Sequence, residues 1–345
     1  MPGRFLTGDL ADRPGRLLIT GATGFVGGAL VRRLLAEGVA AERLVCPVRD
    51  TARAAQAGLP ARALVTADLA AAGEGADAVL RECSRDVGVV VHLAGTLKAF
   101  GTAGYDAVNG GGTARLLAAV AASSPGAHFV YVSSLAAAGP SRDGQGSAAS
   151  PGDCRPVSHY GRSKLAGERA VAAGSLPWTI VRPPVVYGPG DSATRLLFRQ
   201  ALAPLVAVPP QPAPLSIVHV DDVVAALLRI VEVLPSGAVL PLDGPTRTDT
   251  HALLRTIAGV CGRRARLVPV PLWLAAVAAG GAELWGRLRG EPGFFNRDKV
   301  RELKASGWVA DGEPVRRFLG IAPHVTLLDG LAAVARAEGY LPPIP

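Results

Sequence analysis

The chain has 345 residues, 49% hydrophobic and 19% charged, with a formal net charge of +8. Such a length exceeds the ~100–200 residues usual for one domain, and such a composition excludes a disordered chain. Its basic residues stand singly or in pairs such as Arg32-Arg33, Arg263-Arg264 and Arg316-Arg317, not in a stripe with interleaved aromatics, so a basic surface and no nucleic-acid partner are expected.

Residues 1–16 carry Asp9 and Asp12 where a signal peptide needs its apolar stretch, and no export is expected. Short apolar runs at 16–20, 44–48, 63–67, 87–93, 128–133 and 178–181 predict strands. Helical spacing lies between them, as in Val26, Leu30 and Leu34 and again in Leu116, Leu117 and Val120. Strands that alternate with helices form a parallel sheet covered on both faces. The predicted fold is therefore α/β, a Rossmann-type doubly wound sheet.

After Pro183 the texture changes, with Pro204, Pro209, Pro210, Pro212 and Pro214 crowded together. Helices are predicted over 221–234 and, after the cap pair Thr326 and Asp329, to about residue 338. A dinucleotide-binding domain over 14–188 and a smaller, mostly helical substrate lobe over 189–345 are expected, with segments near 215–243 returning to the core sheet. Residues 143–153 read as a Gly/Ser/Ala-rich loop. The apolar stretch 267–282 is shorter than the ~20 residues of a membrane span and holds Pro269 and Pro271. A core or pocket-lining helix is expected there, and Trp273 and Trp285 leave an interfacial anchor as the alternative.

Cys46, Cys83, Cys154 and Cys261 form no C-x-x-C pair, so neither a metal site nor a disulfide framework is expected. Reduced thiols and a cytoplasmic location follow.

The first strand feeds into Gly21-Ala22-Thr23-Gly24-Phe25-Val26-Gly27, and a helix follows. Missing side chains let backbone approach a pyrophosphate, and the helix N-terminus offers it free N–H groups. Cofactor contacts are expected from Gly21, Thr23, Gly24, Phe25, Val26 and Gly27. Arg49 is the first residue after the second strand, where a guanidinium pairs with a 2′-phosphate and an acid would take the ribose hydroxyls. This favours NADP(H), with NAD(H) open; Arg53 is placed to assist. Asp68, with Leu69, closes the third strand either as an acceptor for the adenine amino group or as a helix N-cap. The small residues Ala94 and Gly95 follow His92-Leu93 and suit backbone passing close to a cofactor, while His92 itself reads as structural.

Ser134 follows the fifth strand, and Tyr160 and Lys164 lie one helical turn apart. Hydride transfer to a ketone needs a proton for the developing alkoxide, and a phenol of ordinary pKa ~10 is poorly matched to neutral pH. A nearby ammonium and a positive nicotinamide ring are expected to lower it, with Ser134 orienting the substrate oxygen. The expected substrate is a small-molecule carbonyl or alcohol.

The ordered set resembles the extended branch of the short-chain dehydrogenase/reductase superfamily. The likeness rests on Thr20–Gly27 as the glycine turn, Val91-His92-Leu93-Ala94-Gly95, Asn109 with Gly112-Thr113, Tyr131-Val132-Ser133-Ser134, the Tyr160 and Lys164 pair, the run from Arg182-Pro183-Pro184 to Tyr187-Gly188-Pro189-Gly190, and His219-Val220-Asp221-Asp222. It implies a catalytic triad of Ser134, Tyr160 and Lys164, with Lys164 also holding the nicotinamide ribose and Pro183 and Val186 against the nicotinamide. Asn109 is implied either as part of a proton relay or as a brace for a helix. A homodimer is common among similar proteins.

Extended members include nucleotide-sugar epimerases and dehydratases as well as reductases. Sugar-nucleotide enzymes usually show an Asn before the Tyr-Gly-Pro turn and an Arg shortly before the His-Val-Asp-Asp segment. Here those places read Pro183-Pro184-Val185-Val186 and Pro214-Leu215-Ser216-Ile217-Val218. The Val48-Arg49-Asp50 strand end, Asn296-Arg297-Asp298-Lys299-Val300, Trp308 and Leu319-Gly320 are more similar to dihydroflavonol reductase and 3β-hydroxysteroid dehydrogenase-like members. The leading expectation is an NADPH-dependent carbonyl reductase or the reverse alcohol dehydrogenase, acting on a fairly apolar molecule covered by residues 267–288. An epimerase or dehydratase that returns its hydride, and a non-catalytic NAD(P)-binding sensor, are the alternatives.

Overall fold

The computed structural model describes residues 15–141, 146, 152–291, 293 and 295–342. The N-terminal residues 1–14 and most of the expected 143–153 loop lie outside that set.

Strands β1 (Arg16–Thr20), β2 (Leu44–Val48), β3 (Leu64–Thr66), β4 (Val87–His92), β5 (His128–Val132), β6 (Trp178–Arg182) and β7 (Ala238–Pro241) form one seven-stranded sheet in the order β7-β6-β5-β4-β1-β2-β3. Every pairing in it is parallel. Buried on both faces, β5 reads His-Phe-Val-Tyr-Val without a polar-out alternation, as a covered parallel strand does. The chain order reverses where β1 meets β4, and ligands of open α/β sheets bind beyond the strand ends at such a point.

Helix α1 (Phe25–Ala36) covers one face through Leu30, Val31 and Leu34, beside Val223, Leu227 and Ile230 of the later helix Val220–Val233. On the other face, α2 (Thr113–Ser123) and α3 (His159–Ala173) pack Leu116, Val120 and Val171 on Phe129, Tyr131 and Ile180. A fully buried Leu or Phe of this kind contributes about 1.5–3 kcal/mol. A third cluster, with Phe198, Val206, Ile217, Leu253, Ile257, Leu331 and Val334, joins elements beyond residue 187.

The helix expected at 221–234 is Val220–Val233, and the last helix, Leu327–Ala337, has the Thr326 hydroxyl at its start accepting from Asp329 N as its cap chemistry requires. β3 is shorter than the expected 63–67. The stretch at 267–282 departs most from expectation. Residues Leu267–Pro269 form a short strand beside Val206–Val208, and α4 (Leu272–Arg289) starts after Pro271. In α4 only Ala279 and Gly286 are buried, so it is neither a core helix nor a covered pocket wall. The reason is steric. Small residues face the protein, where a Cβ on Gly286 would stand 2.7 Å from the Glu291 carbonyl oxygen and one on Gly280 3.2 Å from the Arg297 guanidinium. The bulky residues are left to point outward.

Candidate active site

The turn after β1 is built by close backbone approach. Gly21 has φ +69, and a Cβ there would lie 2.7 Å from Ala94 N; a Cβ on Gly27 would overlap the Gly21 carbonyl oxygen. Gly24 N donates to Gly21 O at 2.9 Å. As the N-cap of α1, Gly24 brings no side-chain cap, and the first turn holds no acid. The free N–H groups and the positive end of the helix dipole therefore face outward beside exposed Thr23 and half-buried Phe25 and Val26, a cradle that fits a pyrophosphate. Thr20 ties this turn to β4: its hydroxyl accepts from Ala94 N at 3.1 Å and donates to His92 Nδ1 at 2.6 Å.

Arg49 is exposed directly after β2. Its neighbour Asp50, also exposed, accepts from Arg53 N at 2.9 Å through Oδ1 as the cap of the helix Thr51–Gln56. Asp68 lies past the end of β3 in a turn, where its carboxylate accepts from Ala70 N at 2.9 Å. The next helix starts only at Glu74, behind Gly73, so Asp68 is not its N-cap. Leu69 is buried, and its carbonyl accepts from the Arg115 guanidinium. By strand order, Arg49 and Asp68 stand on the far side of β1 from β4 and β5.

Ser134 stands just beyond β5, with Pro183 beside it: Leu135 N donates to Pro183 O at 2.8 Å. Across from it, α3 carries Tyr160 in its first turn and Lys164 one turn on. The Ser134 hydroxyl, which accepts from Ala136 N at 3.1 Å, stands near enough to the Tyr160 phenol to act against the rise in its pKa. Lys164 is buried, its Nζ donating to Val132 O at 2.8 Å and lying 4.4 Å from the Tyr131 ring centroid. A Cβ on Gly95 would be 3.7 Å from that Nζ. Ser134, Tyr160, Lys164 and Gly95 are thus brought to one place. Val186 lies on the short strand Val185–Tyr187, paired with Val218.

The expected lowering of the phenol draws on the ammonium and a positive nicotinamide ring together; the protein's own groups are governed by burial. Burial pushes the Tyr160 phenol up, against the opposing effect of Ser134. Burial also pushes Lys164 down to about 7, with Glu168 pulling the other way.

Beneath these groups a polar chain links His92, Thr113 and Asn109. His92 Nε2 meets Thr113 Oγ1 at 2.9 Å, and that hydroxyl donates to the Asn109 carbonyl at 2.8 Å. Asn109 sits in a π-helical turn, Asp106–Gly112, that precedes α2. Its side chain accepts from Thr96 N at 2.8 Å and donates to Ser163 Oγ at 2.9 Å, which braces the loop after β4 against α3. His92 is buried and pushed down to about 3 by desolvation, with Lys164 adding to the effect, which suits its structural reading.

Two further residues, quoted above only as parts of motifs, make contacts that the sequence did not assign. Asp298, on α5 (Arg297–Lys304), accepts at the N-terminus of α3, and only its neighbour Asn296 gave a local signal, as an N-cap. His219 accepts from Asp221 N through Nδ1 at 3.2 Å, and its buried Nε2 has no hydrogen-bond partner among the described residues, next to Gly188.

Residues 17–239 match the pattern of the NAD dependent epimerase/dehydratase family. The chain belongs to that family. Its members of the extended short-chain dehydrogenase/reductase type are NAD(P)-dependent enzymes of oxidoreductase chemistry, and this chain is one of them. It is 34% identical over 339 residues to the ceramide reductase of Caulobacter vibrioides (strain NA1000 / CB15N), across 96% of this chain and 98% of that protein. Among solved structures, gox2253 matches with a TM-score of 0.73 at 24% identity, over 95% of this chain and 99% of that one. The dTDP-glucose 4,6-dehydratase DesIV from Streptomyces venezuelae, solved with NAD and TYD bound, matches with a TM-score of 0.73 at 21% identity, over 94% of this chain and 97% of that one. These two structures share the family's fold. Among the described residues no helix is long and apolar enough to cross a membrane.

Proposed function

We propose that this protein is an NADPH-dependent carbonyl reductase, or the reverse alcohol dehydrogenase, whose substrate is a ceramide-class lipid bearing a ketone. The observation that carries this reading is the gathering of Ser134, Tyr160, Lys164 and Gly95 at the carboxyl end of β5. The full-length likeness to a ceramide reductase supports the substrate class.

When bound, NADPH supplies the hydride. The glycine turn and the start of α1 hold its pyrophosphate, Arg49 pairs with the 2′-phosphate and Asp68 receives the adenine amino group. Lys164 holds the nicotinamide ribose, and Pro183 and Val186 back the ring. Tyr160 gives its phenolic proton to the carbonyl oxygen as that oxygen gains charge, while the Ser134 hydroxyl donates a hydrogen bond to the same oxygen.

The test is turnover of a keto-ceramide with NADPH, following cofactor absorbance and product by mass. Equal loss of NADPH and gain of alcohol is expected, and Tyr160→Phe is expected to abolish turnover while cofactor affinity stays nearly intact. Undiminished turnover in that variant would remove Tyr160 from the mechanism. Substrate conversion without consumption of NADPH would replace the reductase reading with epimerase or dehydratase chemistry.

A further inference from the structure

The helix α4 is amphipathic the wrong way round for a globular surface. Trp273, Val277, Leu284, Trp285 and Leu288 are 64%, 66%, 62%, 57% and 74% exposed, and Leu274 is exposed beside them. At about 3.6 residues per turn these six side chains fall within about 120° of arc, opposite buried Ala279 and Gly286. An arc of that width ordinarily faces a core. Here it faces outward.

The borders of the arc are basic. Arg287 and Arg289 stand just beyond its two edges in the last turn, and the Arg289 guanidinium lies 4.6 Å from the Trp285 ring centroid. The helix holds one acid, Glu283, which lies off the arc and pairs with Arg287 at 3.1 Å. Tryptophans within an apolar face, edged by arginines and free of acids, match the chemistry of an anionic bilayer's headgroup boundary. An 18-residue helix of this kind lies in the plane of a membrane and does not span it.

The helix that follows α4 reaches the site. After α4 the chain reaches Asn296, which lies near Tyr105, and the Tyr105 ring centroid is 6.2 Å from that of Tyr160. Two residues on, Asp298 meets the first turn of α3. Leu97 and Phe100, on the loop after Gly95, are exposed as well.

We infer that the outward face of α4 docks the protein on an anionic lipid bilayer, in-plane and without spanning it, so that the mouth of the site meets the membrane surface. The purpose of docking rests on the reading that the substrate is a lipid, which stays in the bilayer by its acyl chains; the face itself does not depend on that reading. Co-sedimentation with vesicles of phosphatidylcholine and phosphatidylglycerol, without cofactor or substrate, tests it. Wild-type protein is expected to partition onto these vesicles, less so onto phosphatidylcholine alone and less at high salt. Trp273→Gln with Trp285→Gln is expected to lower partitioning about ten-fold or more, and Arg287→Glu with Arg289→Glu to remove the preference for anionic lipid. All four side chains are exposed, and circular dichroism checks that the variants fold.

No vesicle binding by the wild type, or binding unchanged in both variants, would overturn the proposal. A wild-type dimer that ignores vesicles and becomes monomeric on Trp273→Gln with Trp285→Gln would overturn it too, by showing that a second copy covers the face. Turnover separates this proposal from the proposed activity. Protein that reduces detergent-dispersed keto-ceramide but ignores vesicles sinks docking alone, and protein that binds vesicles but reduces nothing sinks the activity alone.

Discussion

The Asp298 carboxylate caps the helix that carries Tyr160: Oδ2 accepts from the backbone N–H of Tyr160 at 3.2 Å and Oδ1 from that of His159 at 2.8 Å. Ser158, the local cap, serves Gly161 N at 3.0 Å, so the remaining N–H groups of the first turn are met from 138 and 139 residues away. Arg301 holds the same carboxylate at 3.1 Å. A negative group at this helix end also opposes the positive pole of its dipole.

Loss of that cap should both destabilise the protein and loosen Tyr160. Asp298→Ala is expected to cost about 0.5–2 kcal/mol in denaturant titration. It should lower kcat about ten-fold, equivalent to about 1.4 kcal/mol, with cofactor affinity unchanged. Asp298→Asn keeps an acceptor and should recover most of the rate. If kcat in Asp298→Ala equals that of the wild type, the contact is structural only.

Arg49 should decide cofactor choice, because its exposed guanidinium is the first side chain beyond β2, while Asp50 Oδ1 caps the following helix at Arg53 N. Arg49→Ala is expected to raise KM for NADPH by about ten-fold or more, in line with loss of a charge-assisted contact of about 1.5–3 kcal/mol, while KM for NADH barely moves. Equal effects on both cofactors would remove Arg49 from 2′-phosphate recognition.

Arg182 and Glu168 are both fully buried and joined by two hydrogen bonds, at 2.9 and 2.6 Å, with Cys154 Sγ accepting from the same guanidinium at 3.2 Å. Taking one partner away strands a charge in low dielectric. Glu168→Ala should therefore destabilise by about 3–5 kcal/mol, and the double change Glu168→Leu with Arg182→Met should restore much of it. Thermal unfolding of the three proteins checks this; a mild Glu168→Ala phenotype would mean that water reaches the pair.

His92 is expected to contribute to an acid limit of stability. Its ordinary value is 6.5, and burial holds it near 3 in the folded protein. Between those values the unfolded chain binds a proton that the native state refuses, so stability is lost as pH falls from about 6.5 toward 3. Lys164, lowered from 10.5 to about 7, acts with the same sign higher up: stability rises as pH climbs from about 7 toward 10.5. Urea midpoints across pH should show both limbs, and His92→Gln should flatten the acid one. An acid limb unaltered in His92→Gln would place the titration elsewhere.

The sequence by itself determined what depends on neighbours along the chain. Strand runs, the glycine turn, the Thr326 cap and the one-turn spacing of Tyr160 and Lys164 are local patterns whose geometry follows from helix and strand periods. Tertiary structure decided what depends on which distant groups meet and how dry the meeting place is. Asp298 reaches α3 from far along the chain, and no periodicity marks that contact. The 267–282 stretch looked buried because its apolar content was counted without its direction, and only packing shows Ala279 and Gly286 inward and the tryptophans outward. The Tyr160 and Lys164 shifts likewise took their direction from desolvation, a property of the enclosing fold that no pair of residue names contains.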